Sequence, residues 1–137
     1  MNSPLKKKFS EFKLGDDLSV VHKARLGVRP NVFYMFSNLA NLSEKTLAAL
    51  LHLHPRTINN YRDKKKYLNP VEGEHLLKLI NLYTLGEELF GSVQQFSQWL
   101  NAPGWQHKEK AMDWLDTPGG VDLVIEELRK LENGYVV

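Results

Sequence analysis

Apolar side chains recur along this chain at intervals of three and four residues from near Val20 to Leu131, the spacing that gathers them on one face of an α-helix. The alternating Val, Ile, Thr and Tyr runs that mark half-buried strands are missing. The pattern predicts an all-α fold. Asp16-Asp17 caps a short helix to about Arg25 that Gly27 and Pro30 close, and Asn31 caps a second whose Val32, Phe33, Phe36 and Leu39 share a face. Ser43 caps a helix over 44–51, and His54-Pro55 opens another, with proline at its first position, that ends near Lys64. Asn69-Pro70 opens a long helix to about Phe90, broad and apolar through Leu76, Leu77, Leu79, Ile80, Leu82, Tyr83, Leu85 and Leu89, which Gly91 stops. Helices over 92–100, about 108–115 and 118–131 complete the pattern, with a loop through Asn101-Ala102-Pro103-Gly104. Residues 1–14 carry little periodicity and read as a mobile arm.

Residues 44–62 hold two short helices joined by a tight turn, with the small Ala48 where the helices must touch. Leu47, Leu51, Leu53, Ile58 and Tyr61 fall at inward positions, leaving Arg56, Thr57, Asn59, Asn60 and Arg62 on or beside the outward face. That is the layout of a helix-turn-helix, whose second helix offers its N-terminal residues to the major groove, where Arg pairs with guanine and Asn with adenine. Arg56, Thr57 and Asn60 are the candidate base readers; Lys64, Lys65 and Lys66 just beyond are candidate phosphate contacts. The turn has His52 where glycine is common, a position that often takes positive φ and that histidine tolerates at some cost. The competing reading is an ordinary helical hairpin with a solvated polar face.

Composition sharpens this picture through charge. Over all 137 residues the formal charge is only +2, but residues 1–69 hold 13 Lys+Arg against 5 Asp+Glu, a formal +8, and residues 70–137 hold 5 against 11, a formal −6. A basic half suits nucleic acid and an acidic half does not, so the imbalance points to two partners and to a division into a DNA-binding region, 1–69, and a second helical region, 70–137. There is no cysteine, hence no disulfide or thiolate metal site, which suits a reducing cytoplasm. The basic start runs into Phe9-Ser10-Glu11 instead of an apolar stretch, so no signal peptide is expected, and no apolar run approaches the length of a membrane helix.

The acidic half carries Leu89-Phe90-Gly91, then Phe96-Ser97-Gln98-Trp99-Leu100-Asn101-Ala102-Pro103, then Leu115-Asp116-Thr117-Pro118-Gly119-Gly120, and a closing Glu132-Asn133-Gly134-Tyr135. In that order, downstream of a helix-turn-helix, these segments resemble the toxin-binding region of the Xre/MbcA/ParS antitoxins, and the whole chain resembles the Xre antitoxins paired with RES-domain toxins. Where the family often reads close to Gly-Arg-Thr-Pro before its Leu-Asp-Thr, this chain has 107–114, His-Lys-Glu-Lys-Ala-Met-Asp-Trp. The resemblance implies a RES-domain, NAD-consuming toxin as partner, repression of a shared operon, and a C-terminal end at or near the toxin's active-site entrance. On it Trp99, Leu100, Trp114, Asp116, Thr117, Gly134, Tyr135, Val136 and Val137 are candidate toxin contacts. The symmetry of operators for such proteins implies a homodimer.

Each of these residues also has a structural reading. Thr117-Pro118 is a helix start with Asp116 placed to suit the helix dipole, and Trp99, Trp105 and Trp114 can equally be core fillers. The tail 134–137 is either a frayed end or an apolar plug. Catalysis is not expected: the five histidines include one close pair, His52 and His54, in the turn, with no His-Glu-x-x-His pattern, no phosphate loop, and adjacent pairs Glu87-Glu88 and Glu126-Glu127 that read as solvated faces. No cofactor or metal is expected. A stand-alone repressor whose acidic half dimerises or senses a ligand is the alternative, and a purely structural interaction module the third.

Overall fold

The computed structural model describes residues 4–9, 16–104 and 109–134, and among them it has eight α-helices, one 3₁₀ turn and no strand. The helices are α1 (Pro4–Phe9), α2 (Asp17–Leu26), α3 (Pro30–Leu39), α4 (Glu44–Leu50), α5 (Pro55–Asp63), α6 (Pro70–Phe90), α7 (Val93–Asn101) and α8 (Pro118–Glu132), with the 3₁₀ turn at Ala111–Trp114 between the last two. Helix starts follow their caps. The side chains of Asp16, Ser43, Ser92 and Thr117 each accept the backbone N–H three residues on, and Asn69 and Glu72 close a reciprocal capping box at 2.8 and 3.0 Å.

Helix α6 is the spine. Its 21 residues take α1, α2, α7 and α8 against different faces, because Leu76, Leu77, Leu79, Ile80, Leu82 and Tyr83 are buried all round it. Helices α3, α4 and α5 pack on one another, and α3 also meets α1. One line of ring contacts joins the two groups: Phe9 to Phe36 at 6.4 Å, Phe36 to Tyr83 at 5.3 Å, and Tyr83 to Phe96 at 5.1 Å, all edge-on. The buried core runs without a break across residue 69.

Four expectations change. The segment 4–9, expected within a mobile arm, is a helix that buries Leu5 and Phe9; the rest of the arm lies outside the described residues. Glu87, expected on a solvated face, is 7% exposed and its Oε1 accepts the Leu5 N–H at 3.2 Å, so it holds the N-terminus of α1 onto α6. Neighbouring Glu88 does reach solvent, where it pairs with Lys6 at 3.0 Å. Helix α3 is capped by Arg29 and not Asn31, because Pro30 takes the first helical position, which needs no N–H and suits its fixed φ. The helix expected over 108–115 is a 3₁₀ turn at Ala111–Trp114, and Trp105 lies outside the described residues.

Two glycines make close packing possible. A Cβ on Gly86 would sit 2.5 Å from the Phe96 ring, and one on Gly120 would sit 1.7 Å from the Trp114 carbonyl oxygen. Gly120 thus lets the first turn of α8 lie directly on the 3₁₀ turn.

Candidate nucleic-acid interface

The two helices of the reader, α4 and α5, meet through a turn built by the backbone. Leu51 caps α4, His52 adopts φ 59°, and the N–H groups of His52 and Leu53 bond back to Ala49 O at 3.1 Å and Ala48 O at 2.9 Å. This is a Schellman closure, with histidine in the left-handed position that glycine fills most cheaply. The same closure ends α3 at Asn41 (φ 55°) and α5 at Lys65 (φ 56°), with Leu42 N–H to Ser37 O at 3.1 Å and Lys66 N–H to Tyr61 O at 2.8 Å. Three successive helices therefore end alike, none on glycine. Ala48, Leu47 and Ile58 are fully buried between them.

His54 caps α5: its Nδ1 accepts the Arg56 N–H at 3.0 Å, so the ring that faces the turn also fixes where Arg56 begins. Arg56 and Asn60, four residues apart on one face, are both exposed, and neither side chain has a polar partner among the described residues. Thr57 is half-buried beside them. Asn59 differs, because its Oδ1 accepts a hydrogen bond from the Tyr34 hydroxyl on α3. The Arg62 guanidinium lies 5.3 Å over the Tyr34 ring and its Nε reaches Asp63 at 3.2 Å. Burial raises the Tyr34 hydroxyl above the usual tyrosine range, with Arg62 opposing, so it stays protonated and donates to Asn59. Asn59 and Arg62 thus orient α5 on α3, while the polar groups of Arg56, Thr57 and Asn60 have no side-chain partner among the described residues. Lys64, Lys65 and Lys66 are exposed beyond the helix end.

In the acidic half the candidate contacts sort unevenly. Leu100 is 0% exposed, a core residue with no surface for a partner; its place in the 3.6-residue repeat of α7 puts it inward with Val93 and Phe96. Trp99 is half-buried, stacked on Phe96 at 6.0 Å and tilted on Phe90 at 5.6 Å. Trp114 is likewise half-buried against the core. The Thr117 hydroxyl accepts the Gly120 N–H at 3.0 Å. Asp116 and Gly134 are exposed, and Tyr135, Val136 and Val137 lie outside the described residues.

Two histidines hold the segment before α8, and spacing alone gave them no role. His75, buried on α6, donates Nε2–H to Leu115 O at 2.8 Å, and His52, exposed in the reader's turn, donates Nε2–H to Asp116 O at 2.7 Å. Burial pushes the His75 imidazole below the ordinary value of 6.5, which keeps the ring neutral with Nε2 protonated at neutral pH. The signal that could have exposed His52 is its place at a left-handed position, where a side chain with no task is a poor choice. Among the described residues no group of three His, Asp or Glu is arranged to hold a metal, and no helix is long and apolar enough to cross a membrane.

No curated protein matches the sequence. A protein-family model does: residues 36–81, from the second half of α3 through the first half of α6, match the antitoxin Xre-like helix-turn-helix domain. The turn at 51–54 and the exposed face of α5 both lie inside the match, so this region is similar to the helix-turn-helix of Xre-type antitoxins.

Proposed function

We propose that this chain is the antitoxin of a type II toxin–antitoxin pair, acting as a homodimer in the cytoplasm. Its reader recognises an operator through Arg56, Thr57 and Asn60, gains salt-dependent affinity from Lys64, Lys65 and Lys66, and represses its own operon. Residues 70–137 bind and neutralise a RES-domain, NAD-degrading toxin, with the exposed edges of Trp99 and Trp114, the Asp116-Thr117 corner and the end 134–137 as contacts; the toxin's identity rests on the sequence resemblance. The observation that carries the reading is the uncommitted Arg56–Asn60 face inside the matched domain.

The test is co-purification with the product of the adjacent gene, a growth assay on co-expression, and binding to the DNA upstream of the pair. A stable complex, restored growth and specific DNA binding are expected. DNA binding without a complex or rescue would leave the stand-alone repressor, and neither activity would leave a structural interaction module.

A further inference from the structure

The polar and charged surface of α5 extends past the helix to a feature that joins the matched region, 36–81, to residues before it. The run Lys64-Lys65-Lys66 leads into Tyr67, whose ring is 50% exposed. The Arg29 guanidinium lies over that ring, 5.3 Å from its centre. A two-residue bridge, Leu68 N–H to Val28 O at 2.9 Å, ties the segment before α3 to the segment before α6 and fixes the pair. Gly27 completes the seat. At φ 115° it takes a conformation other residues rarely adopt, and a Cβ there would stand 2.9 Å from the Tyr67 ring.

Arg29 is exposed and has no carboxylate partner among the described residues. The acids closest in sequence to Tyr67 are engaged elsewhere, Asp63 with Arg62 and Glu72 in the capping box of α6. Arg25, near the end of α2, is exposed as well. An arginine held over an aromatic ring keeps its outer N–H groups free and loses little side-chain freedom when they are bonded, which suits a phosphate oxygen.

We propose that Arg29, positioned by Tyr67, is a backbone-phosphate contact for duplex DNA, extending the basic rail of Lys64–Lys66 beyond the reader helix. The inference rests on the DNA-binding reading above. A contact of this kind raises affinity for every sequence alike and leaves discrimination to Arg56 and Asn60.

The experiment uses the full chain and a fluorescent 30-base-pair duplex of random sequence, titrated at several salt concentrations. For Arg29→Gln, affinity at low salt falls several-fold and the slope of log affinity against log salt becomes shallower by about 0.9, the signature of one lost phosphate contact. Arg29→Lys recovers the slope but not the full affinity, since it keeps the charge and loses the guanidinium's fork of donors. Tyr67→Leu weakens binding less than Arg29→Gln. Lys65→Gln is the positive control, and Lys130→Gln, an exposed lysine on α8, reports the effect of net charge alone. An unchanged slope for Arg29→Gln beside a reduced one for Lys65→Gln overturns the proposal, as does an equal loss from Lys130→Gln. Failure of the unsubstituted protein to bind any duplex sinks the DNA-binding reading itself, which separates the two.

Discussion

The outward face of α5 and the aromatic residues of α7 are both rich in residue types that bind partners, yet the fold uses them oppositely. On α5, Arg56 and Asn60 leave their side chains unengaged among the described residues, and the neighbours that are engaged, Asn59 and Arg62, hold the helix on Tyr34. On α7, Leu100 and Phe96 are fully buried and Trp99 is stacked into the same cluster. Residue type alone does not mark an interface. The engagement of each side chain by its neighbours separates the two faces: rings cover Trp99, whereas no side chain among the described residues engages Arg56 or Asn60.

The largest test of this contrast is thermodynamic. Leu100→Ala should lower unfolding stability by about 2–5 kcal/mol in a denaturant titration, because it opens a cavity in the core. Arg56→Ala should change the same measurement by no more than about 0.5 kcal/mol. A mild Leu100→Ala would return that residue to the list of partner contacts.

Next in size, Arg56→Ala and Asn60→Ala should each cost about 1–3 kcal/mol of discrimination between operator and mutated operator. Asn59→Ala should instead lower stability by about 1 kcal/mol, through the orphaned Tyr34 hydroxyl. If Asn59→Ala altered base preference and left stability untouched, the division between reading and positioning residues would be misplaced.

A smaller effect is expected from pH. The His75 pKa is depressed in the folded chain, so above the ordinary value the ring is neutral in both states and contributes no pH dependence. As pH falls through 6.5 the unfolded chain takes up a proton that the folded one resists, and stability drops. Thermal unfolding followed from pH 7.5 down to about 5 should show this loss in the native sequence and less of it in His75→Gln. An equal loss in both would assign the pH response to other groups.

The smallest effect belongs to His52. Replacing it with glycine relieves a left-handed residue worth about 1 kcal/mol and removes the bond to Asp116 O, worth about the same. Stability of His52→Gly should therefore stay near that of the parent, while hydrogen exchange at residues 115–120 speeds up. A clear stabilisation without faster exchange would mean that the bond contributes nothing.

Local signals carried most of the fold. Caps and prolines placed the starts of α2, α4, α5, α6, α7 and α8 within a residue or so, because a cap needs only a side chain and an N–H a turn away. Failures came where the deciding partner is distant. Lys-rich 4–9 offers a single i,i+4 apolar pair, Leu5 and Phe9, too little to announce a helix, and the partners that dock it, Phe36 and Glu87, are distant in sequence. The helix-turn-helix and its positive-φ histidine were legible. The difference between Asn59 and Asn60 was not, since it depends on Tyr34, which lies 25 residues away in sequence. Trp99 could be read as core or contact until the Phe90 and Phe96 rings beside it were placed.

The edge-on contacts of Tyr83 with Phe36 on one side and Phe96 on the other bear on how the chain is turned over. A wall shared by both groups of helices makes their unfolding cooperative, so a protease entering either end removes support from the other. Limited proteolysis should therefore leave no stable fragment of residues 1–69 alone, since a cut in either group of helices unfolds both.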